Sequence, residues 1–456
     1  MSFRHYPAEY VAKHLHGLTV ASSLPAAAGD APFITTHSGS FHCDEAMACG
    51  LLRHTDAYRY ANVIRTRDPA LIDKGAIVVD VGAVYDPSRH RYDHHQGSFH
   101  DTMVVTPEAD QSPITTKTFH TRLSSAGLIY RHFGREVIAR FVHECVSSSP
   151  YSAQLHDELL KWPAEKQHLT PAELDLIYFK MYDSFMEQLD GNDNGVEPYK
   201  ALLVEEFEEE QKKEEEEEEG VEKDEEEKKE RKVPADRKAV LKKNYKVSTT
   251  LPARVADMQT WWNQPANAAL PPGEDKENEY FGTAVQIASL EFFEKVFFFV
   301  FSWLPARGLV EAAYHNRLQV EGGDPEGRIV VLLDYCPWGD HLADIERIDR
   351  SAKRRLQRCR GKSTKSVASA PHQDVLYVLY SDGKGWRVQA VRQDGSQFES
   401  RKPLPFKGLR DEALSTASGI EGGIFVHVSG FIGGMKTYEG ALALAKKAVE
   451  MEPAEQ

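Results

Sequence analysis

FITTHSGSFHCDEAMACGL, residues 33–51, runs from a predicted strand through a turn into a predicted helix. Residues 33–35 are apolar or β-branched and predict the end of a short buried strand. The helix is predicted over 46–52, with Asp44 and Glu45 in its first turn, where the helix dipole favours acidic side chains. This order of elements is typical of an open α/β sheet.

His37, His42 and Asp44 fall between the carboxyl end of this strand and the amino end of the helix. Open α/β sheets bind their ligands at that position. Two interpretations stay open from this stretch alone. In one, the three side chains bind a ligand. In the other, Asp44 caps the helix and the histidines are solvated loop residues.

A second stretch, residues 76–96, favours ligand binding. Residues 76–79 are continuously apolar and predict a buried strand of a parallel sheet, which ends at Asp80. A carboxylate at that position is costly to bury unless it is paired or bound to a cation. An Asp-His-His triplet follows in the string RYDHHQ. The candidate ligands of the two stretches are His37, His42, Asp44, Asp80, Asp93, His94 and His95.

This set of side chains predicts a metal centre. Imidazole and carboxylate ligands together suit Mn²⁺, Mg²⁺ or Zn²⁺. Because the candidates outnumber the ligands that one ion needs, the sequence predicts a hydrolytic centre with two metal ions.

Several strings resemble the melanocyte proliferating gene one family, within the DHH phosphoesterase superfamily. They are THSGSFHCDEA, VDVGAVYDP, YDHHQ, LSSAGLIY and SGFIGG, and the resemblance runs from about Phe33 to the C-terminus with one insertion. Members of this family have been called metal-dependent protein hydrolases and are regarded as 3′–5′ RNA exonucleases of the nucleus and mitochondrion. The resemblance therefore implies a manganese-type nuclease that acts on single-stranded RNA 3′ ends.

The resemblance also implies a ligand set for two ions, with Asp80 bridging them: His37, Asp44, Asp80, His94 and Asp193. Asp190, one helical turn before Asp193, is the alternative ligand from the last motif. The superfamily usually has His-x₃-Asp-x-Asp, whereas this chain has His37-x₄-His42-x-Asp44. Either His42 replaces the first aspartate of that motif or one metal site is altered.

Further residues are predicted to contact the substrate. If His94 binds metal, His95 faces the substrate as a phosphate contact or an acid, and Asp93 is the second catalytic candidate. Ser38 lies in the turn after His37 and is a candidate substrate contact. Arg67 follows a predicted strand and either touches a phosphate or forms a surface salt bridge.

The string SGFIGGMKT, residues 429–437, is predicted to be a glycine-rich loop between a strand and the last helix. Such loops offer backbone amides to anions, although many are only tight turns. The superfamily often binds substrate through a glycine-rich motif that ends in histidine, and here Met435 stands in place of that histidine. Gly433, Gly434 and Lys436 are the candidate substrate contacts.

Composition limits the class of protein. At 456 residues the chain predicts two domains, and its five cysteines lack a CxxC spacing, which indicates a reducing compartment. The net charge is −15, of which residues 205–232 contribute −10, so the rest is only mildly acidic. That acidity argues weakly against a nucleic-acid substrate, because a local basic groove is sufficient for binding.

The predicted fold class is α/β, with a DHH-like parallel-sheet domain followed by a smaller α+β substrate-binding domain. Residues 1–32 are an N-terminal tail or a mitochondrial transit peptide, with a weakly amphipathic helix over 8–16. The catalytic domain is predicted over 33–203, an acidic low-complexity insertion over 204–245, and the substrate-binding domain over 246–456. The apolar run near residue 300 is too short to span a membrane.

The leading functional hypothesis is a metal-dependent phosphodiester hydrolase, a 3′–5′ RNA exonuclease of mitochondrion or nucleus. One alternative is a non-catalytic regulator that keeps the fold and binds protein partners through the acidic insertion. Another is a small-molecule phosphatase that acts on pyrophosphate or a nucleotide.

Overall fold

The computed structural model describes residues 3–24, 32–110, 112–147, 162–163, 166–197, 247–263, 274–359, 374–396 and 398–451, with side chains omitted for 351–359. The predicted acidic insertion at 204–245 lies outside the described residues. The chain forms two compact units, residues 1–297 and residues 298–456. The predicted domain boundaries stay a prediction.

The first unit contains a six-stranded sheet. Its strands are β1 (Val20–Ala21), β2 (Phe33–Thr36), β3 (Asn62–Arg65), β4 (Ile77–Val79), β5 (Tyr85–Asp86) and β6 (Arg91–Tyr92). The order is β1-β3-β2-β4-β6-β5, and all neighbours are parallel except β5 and β6. The predicted α/β class with a parallel sheet is confirmed. Because β2, β4 and β6 are adjacent and parallel, their carboxyl ends meet at one edge.

Helices and a separate hairpin complete the first unit. The hairpin pairs β7 (Thr102–Val105) with β8 (Lys117–Arg122). The helices are α1 (Tyr6–Leu15), α2 (Cys43–Arg53), α3 (Pro69–Ile72), α4 (Ser125–Ser147), α5 (Pro171–Met181), α6 (Glu187–Asp193), α7 (Leu251–Ala256) and α8 (Asn278–Phe298). One π-helical turn, Tyr182–Met186, joins α5 to α6. No helix among the described residues has both the length and the apolar character needed to cross a membrane.

Helix α2 is the centre of this unit, and all 11 of its residues are buried. It begins three residues before the predicted start because His42 is its N-cap and forms a capping box with Glu45. It packs along α4. A Cβ on Gly50 would lie 2.3 Å from the Ser289 hydroxyl oxygen, so neighbouring helices approach α2 closely.

The structure differs from the predicted N-terminal tail, because residues 3–24 are part of the first unit. Tyr10 and Val11 of α1 are buried. The ring of Tyr10 lies 4.9 Å from the ring of Phe141 on α4. The Glu144 carboxylate of α4 accepts hydrogen bonds from Lys13 Nζ at 2.8 Å and His14 Nε2 at 3.2 Å. Long-range contacts that no local pattern encodes therefore hold this segment.

Glu144→Gln should lower the stability of the first unit near neutral pH. Although burial opposes ionisation, hydrogen bonds from His14 and Lys13 lower the pKa of Glu144 to about 2. Because this pKa lies below the ordinary value, the ionised carboxylate stabilises the fold above about pH 5, and this contribution is lost as the pH falls towards 2. We expect a loss of roughly 1–2 kcal/mol at pH 7.

The measurement is urea unfolding of the parent and Glu144→Gln proteins at pH 7, 5 and 3.5, with Glu279→Gln as an exposed control on α8. The difference between parent and Glu144→Gln should shrink from pH 5 downwards. A difference that stays constant over this range would contradict the ionic role of Glu144.

The second unit contains a five-stranded sheet covered by helices. Its strands are β9 (Ile329–Asp334), β10 (Tyr377–Ser381), β11 (Trp386–Ala390), β12 (Gly423–Val426) and β13 (Ile432–Met435), in the order β12-β13-β11-β10-β9. Only β9 and β10 are parallel. The helices are α9 (Leu304–Asn316), α10 (Gly339–Cys359), α11 (Asp411–Ser418) and α12 (Tyr438–Glu450). A π-helical turn, Phe299–Trp303, precedes α9.

Alternate residues of the central strands face two hydrophobic clusters. Tyr377 and Leu379 join a cluster with α12, whereas Val378 and Tyr380 join one with α9 and α10. This period of two is what a sheet covered on both faces requires. Strands β10 and β11 are antiparallel and form a hairpin.

The predicted glycine-rich loop is wrong, because Gly433 and Gly434 lie on strand β13, paired with β11 on one side and β12 on the other. Their amides are therefore within the sheet and not in an open loop. A Cβ on Gly434 would lie 2.5 Å from Arg387 Nη1 and 2.9 Å from a ring carbon of Phe425. Close packing of these side chains over the strand explains why glycine stands there.

Candidate metal centre

The candidate site lies at the carboxyl edge of the first sheet. His37 follows β2, Asp80 follows β4, and His94 comes two residues after β6. Asp80 has a φ of 58°, in the left-handed region that few residues other than glycine, asparagine and aspartate adopt. Non-glycine residues held in this region are concentrated at functional sites.

The Asp80 carboxylate is the centre of the site. Its Oδ2 lies 3.4 Å from His37 Nε2. Its Oδ1 lies 3.5 Å from both His94 Nε2 and His95 Nδ1. The Ser125 hydroxyl, at the start of α4, donates a hydrogen bond to Oδ1 at 3.1 Å. One carboxylate thus lies among three imidazoles.

Glu45 completes the first group of side chains and was not among the ligands predicted from the sequence. Its Oε1 lies 2.9 Å from His37 Nε2 and accepts the His42 amide at 2.8 Å. The side chain is fully buried, and its Oε2 has no hydrogen-bond partner among the described residues. In the sequence, Glu45 stands three residues after His42, the spacing of a helix capping box. That spacing accounts for a glutamate at this position without a metal ion. His37, His42, Glu45 and Asp80 can offer ligand atoms within 4.8 Å of one another.

A second group surrounds His94. His94 Nε2 lies 3.0 Å from Asp193 Oδ2, at the end of α6. The Asp44 carboxylate is held by the amides of Ser125 at 3.2 Å and Ala126 at 2.6 Å, at the start of α4. Asp44, His94 and Asp193 form one candidate ligand group, and Asp80, His94 and His95 form another. The groups are linked because they share Asp80 and His94.

The residues fit a divalent metal ion. His94 is buried, with its Nε2 between the carboxylates of Asp193 at 3.0 Å and Asp80 at 3.5 Å. Its Nδ1 has no hydrogen-bond partner within the described part of the chain, and neither has Glu45 Oε2. Buried polar atoms are rarely left without a partner. Imidazole nitrogens beside carboxylate oxygens are the donor set of Mn²⁺ and Zn²⁺ sites. The clusters can therefore bind a metal ion at these positions.

Strong electrostatic coupling runs through the site. Burial, with the nearby carboxylates of Asp193 and Asp80, raises the pKa of Asp44 well above its usual range. Despite burial, which opposes ionisation, contacts with His37 and His94 hold the pKa of Asp80 well below its usual range. Burial lowers the pKa of His37 and His94, but neighbouring carboxylates outweigh it and raise each to about 10. A bound cation would take over the positive charge of these imidazoles.

Asp190 lies behind the site and belongs to none of the three ligand groups. It is fully buried and accepts hydrogen bonds from the Ser124 amide at 3.0 Å, the Ser124 hydroxyl at 2.7 Å and the Tyr182 hydroxyl at 2.7 Å. Burial raises the pKa of Asp190 to about 7. The carboxylate ties α6 to the start of α4, so it positions Asp193.

The predicted catalytic pair is arranged as a carboxylate behind an exposed imidazole. Asp93 accepts the Ala83 amide at 2.6 Å and the His95 amide at 3.1 Å, and its Oδ1 lies 2.7 Å from His95 Nδ1. Asp93 is buried, whereas the His95 side chain is 60% exposed. Asp93 therefore orients the His95 ring towards solvent.

The predicted substrate contacts lie in both units. Arg67 Nε donates to the Ser38 carbonyl at 3.2 Å, and its Nη2 lies 3.3 Å from His37 Nδ1. Ser38 and Arg67 thus border the first ligand group. Lys436 follows β13 in the second unit and is exposed. Substrate binding by Gly433, Gly434 and Lys436 stays a prediction.

Comparison with known proteins identifies relatives of the whole chain. The model of a family described as Uncharacterised protein family (UPF0160), MYG1_exonuc, matches residues 33–449. The chain is 38% identical over 427 residues to MYG1 exonuclease of Bos taurus, which covers 93% of this chain and 86% of that protein. It is 38% identical over 420 residues to MYG1 exonuclease of Homo sapiens, covering 91% and 85%. Identity to MYG1 protein C694.04c of Schizosaccharomyces pombe is 35%, covering 91% and 97%. No solved structure matches the chain.

Proposed function

This chain belongs to the MYG1 exonuclease family, UPF0160, and we propose that it is a metal-dependent 3′–5′ RNA exonuclease with a dinuclear centre. One observation carries the proposal: the Asp80 carboxylate lies among His37, His94 and His95 at the carboxyl edge of a parallel sheet. The relatives named exonuclease support hydrolysis of nucleic acid. RNA as substrate, the DHH-type domain arrangement and a mitochondrial or nuclear location rest on the motif resemblance.

We assign two metal positions that share Asp80. His37, Glu45 and Asp80 would hold one ion, with His42 at its exposed side. Asp44, His94 and Asp193 would hold the other, together with Asp80, whose Oδ1 lies 3.5 Å from His94 Nε2. Two Mn²⁺ ions bound at these positions would lower the pKa of an attacking water and stabilise charge on the phosphoryl oxygens. The list of proposed ligands thus keeps His37, His42, Asp44, Asp80, His94 and Asp193 from the sequence-based set, adds Glu45, and gives Asp190 a positioning role instead.

The remaining residues position groups and move a proton. The Ser125 hydroxyl and the amides of Ser125 and Ala126 fix the carboxylates of Asp80 and Asp44. Asp93 engages His95 Nδ1, which leaves the other ring nitrogen to protonate the departing 3′ oxygen of the nucleic acid. Arg67, beside His37, would bind a phosphate oxygen.

A substrate panel tests this function. The purified full chain is incubated with Mn²⁺, Mg²⁺ or Zn²⁺. The substrates are a 5′-labelled oligoribonucleotide, a 5′-labelled oligodeoxynucleotide and unlabelled pyrophosphate. We expect stepwise shortening of the RNA from its 3′ end, fastest with Mn²⁺ and abolished by a chelator. An RNA with a 3′-terminal phosphorothioate linkage is the control, because slower cleavage of its last bond identifies the direction of digestion.

The same panel decides among the alternatives. Hydrolysis of pyrophosphate alone would indicate a small-molecule phosphatase. No turnover of any substrate, in a protein that binds Mn²⁺ with a raised melting temperature, would indicate a regulator that keeps the metal fold.

A further inference from the structure

Two consecutive tryptophans, Trp261 and Trp262, follow helix α7 in the first unit. Their exposed fractions are 66% and 95%, and Trp262 is the most exposed large hydrophobic residue of the described chain. A buried aromatic side chain of this size removes about 150–250 Å² from water, so full exposure forgoes a large stabilisation. The exposure of Trp262 therefore calls for a role other than packing.

The segment that carries Trp262 is anchored to the metal-binding loop. The Gln259 side chain donates a hydrogen bond of 2.6 Å to the carbonyl of Phe41, the residue before His42. The Thr260 amide donates to the Glu277 carboxylate at 3.0 Å. Phe41 is itself fully buried, with its ring 5.6 Å from the ring of Phe281 on α8. Trp262 thus lies two residues after Thr260, whose backbone amide is held by Glu277.

Chain geometry limits the distance between Trp262 and the site. Three extended residues span at most about 11 Å, so the backbone of Trp262 lies within that distance of Gln259. Gln259 touches the loop from His37 to His42, which carries candidate ligands at both ends. The backbone of Trp262 therefore lies near the loop that carries the first group of candidate ligands.

The other end of this loop borders a cavity whose lining is mostly polar or charged. The cavity has a volume of about 590 Å³. Its lining includes Ser38, Gly39, Thr66 and Lys276, together with the acidic residues Glu274 and Asp275. The Asp275 carboxylate is already engaged by the Gly39 amide at 2.6 Å and the Glu277 amide at 3.0 Å. Lys276 is exposed, so its ammonium group can meet a phosphate of a bound strand.

We propose that Trp262 is a stacking platform for a nucleobase of single-stranded nucleic acid, next to the nucleotide held at the metal centre. This inference rests on the proposed nuclease function. An exonuclease must hold every base in turn, and stacking on an aromatic ring is tolerant of sequence because every base has a π-face. The tryptophan pair is flanked in sequence by the polar residues Thr260 and Asn263, whereas tryptophans that dock proteins lie inside a larger ring of contacts.

The first test measures binding of a 5′-fluorescent oligoribonucleotide to the full chain in chelator, where no cleavage occurs. Trp262→Ala should raise Kd roughly 5- to 100-fold, the range that stacking energies give. Trp262→Phe should stay within about threefold of the parent, because it keeps a flat ring. Phe398→Ala, at an 81% exposed aromatic of the second unit, is the matched control and should not change Kd.

Turnover with Mn²⁺ gives a second measurement on the same variants. Because the platform holds ground state and transition state alike, Trp262→Ala should raise KM by a similar factor and leave kcat within about twofold. The melting temperature should not change, since surface substitutions rarely alter stability.

Abasic substrates locate the stacked nucleotide. One base at a time is removed from the RNA, counting from the 3′ end. In the parent, loss of the stacked base should weaken binding as much as Trp262→Ala does, and at that position alone the substitution should have no further effect.

The outcomes separate this inference from the proposed function. If the parent cleaves nucleic acid but Trp262→Ala keeps the parental Kd and KM, the stacking role is wrong and the nuclease stands. If the parent neither binds nor cleaves any nucleic acid, the proposed function fails and the stacking role fails with it. Equal weakening by Trp262→Ala at every abasic position would show that no base stacks there.

Discussion

Asp80→Asn should lower kcat/KM for nucleic-acid hydrolysis by roughly three orders of magnitude or more while the fold is preserved. The carboxylate lies within 3.5 Å of His37, His94 and His95, and it is the side chain that two proposed metal positions share. Asparagine keeps the volume of aspartate and, like aspartate, tolerates the left-handed φ of 58° at this position. An amide cannot bridge two cations as a carboxylate does.

Three measurements check this result: kcat/KM with Mn²⁺, bound metal per chain by elemental analysis, and thermal unfolding. Asp73→Asn, at an exposed aspartate of the same unit, is the matched control and should keep parental activity. Metal content should fall in Asp80→Asn alone. Parental turnover in Asp80→Asn would rule out the dinuclear assignment.

Gly127→Ala is expected to have the largest effect on stability. A Cβ at this position would lie 2.3 Å from Asp190 Oδ1 and 2.6 Å from its Oδ2. The Asp190 carboxylate is fully buried, so it can move only by losing bonds to Ser124 and Tyr182. Overpacking of this kind costs about 1–3 kcal/mol, and broken buried hydrogen bonds add to that cost. We expect the melting temperature to fall by roughly 6–12 °C.

The substitution should also weaken metal binding, because Gly127 follows the two amides that hold Asp44. Calorimetric melting with and without Mn²⁺ measures both effects. Gly97→Ala is the control, since no atom lies within 4 Å of a Cβ there. A Gly127→Ala protein as stable as Gly97→Ala would mean that Asp190 is held less tightly than its contacts indicate.

Strand and helix ends were the part of the site that sequence could predict. His37, Asp44 and Asp80 each stand at the end of an element with a clear local pattern, and parallel neighbours bring such ends to one edge. Glu45 was missed because a residue in a capping box already has a local explanation. Asp190 and Asp193 are one turn apart, and only the packing of α6 against α4 shows which of them turns towards His94.

Tertiary contacts determine two features that local sequence patterns do not predict: the strand position of Gly434 and the placement of the N-terminal helix. Glycine predicts turns when read along the chain, yet Gly434 lies on a central strand because Arg387 and Phe425 pack over it. The N-terminal helix has a weak amphipathic pattern of its own. Its position depends on Phe141 and Glu144, which lie some 130 residues further along the chain.

The complete burial of helix α2 limits which amino-acid substitutions this part of the chain can accept. An ordinary surface helix leaves the residues of its solvent-facing side free to vary, as the exposed residues Glu439 and Glu450 of α12 illustrate. In α2 every side of the helix is enclosed, from Cys43 to Arg53. A larger side chain at any of these 11 positions would meet packed atoms. We therefore expect all 11 consecutive positions to be constrained, without the periodicity of a surface helix. We therefore expect substitutions in α2 to require compensating substitutions in the residues packed against it.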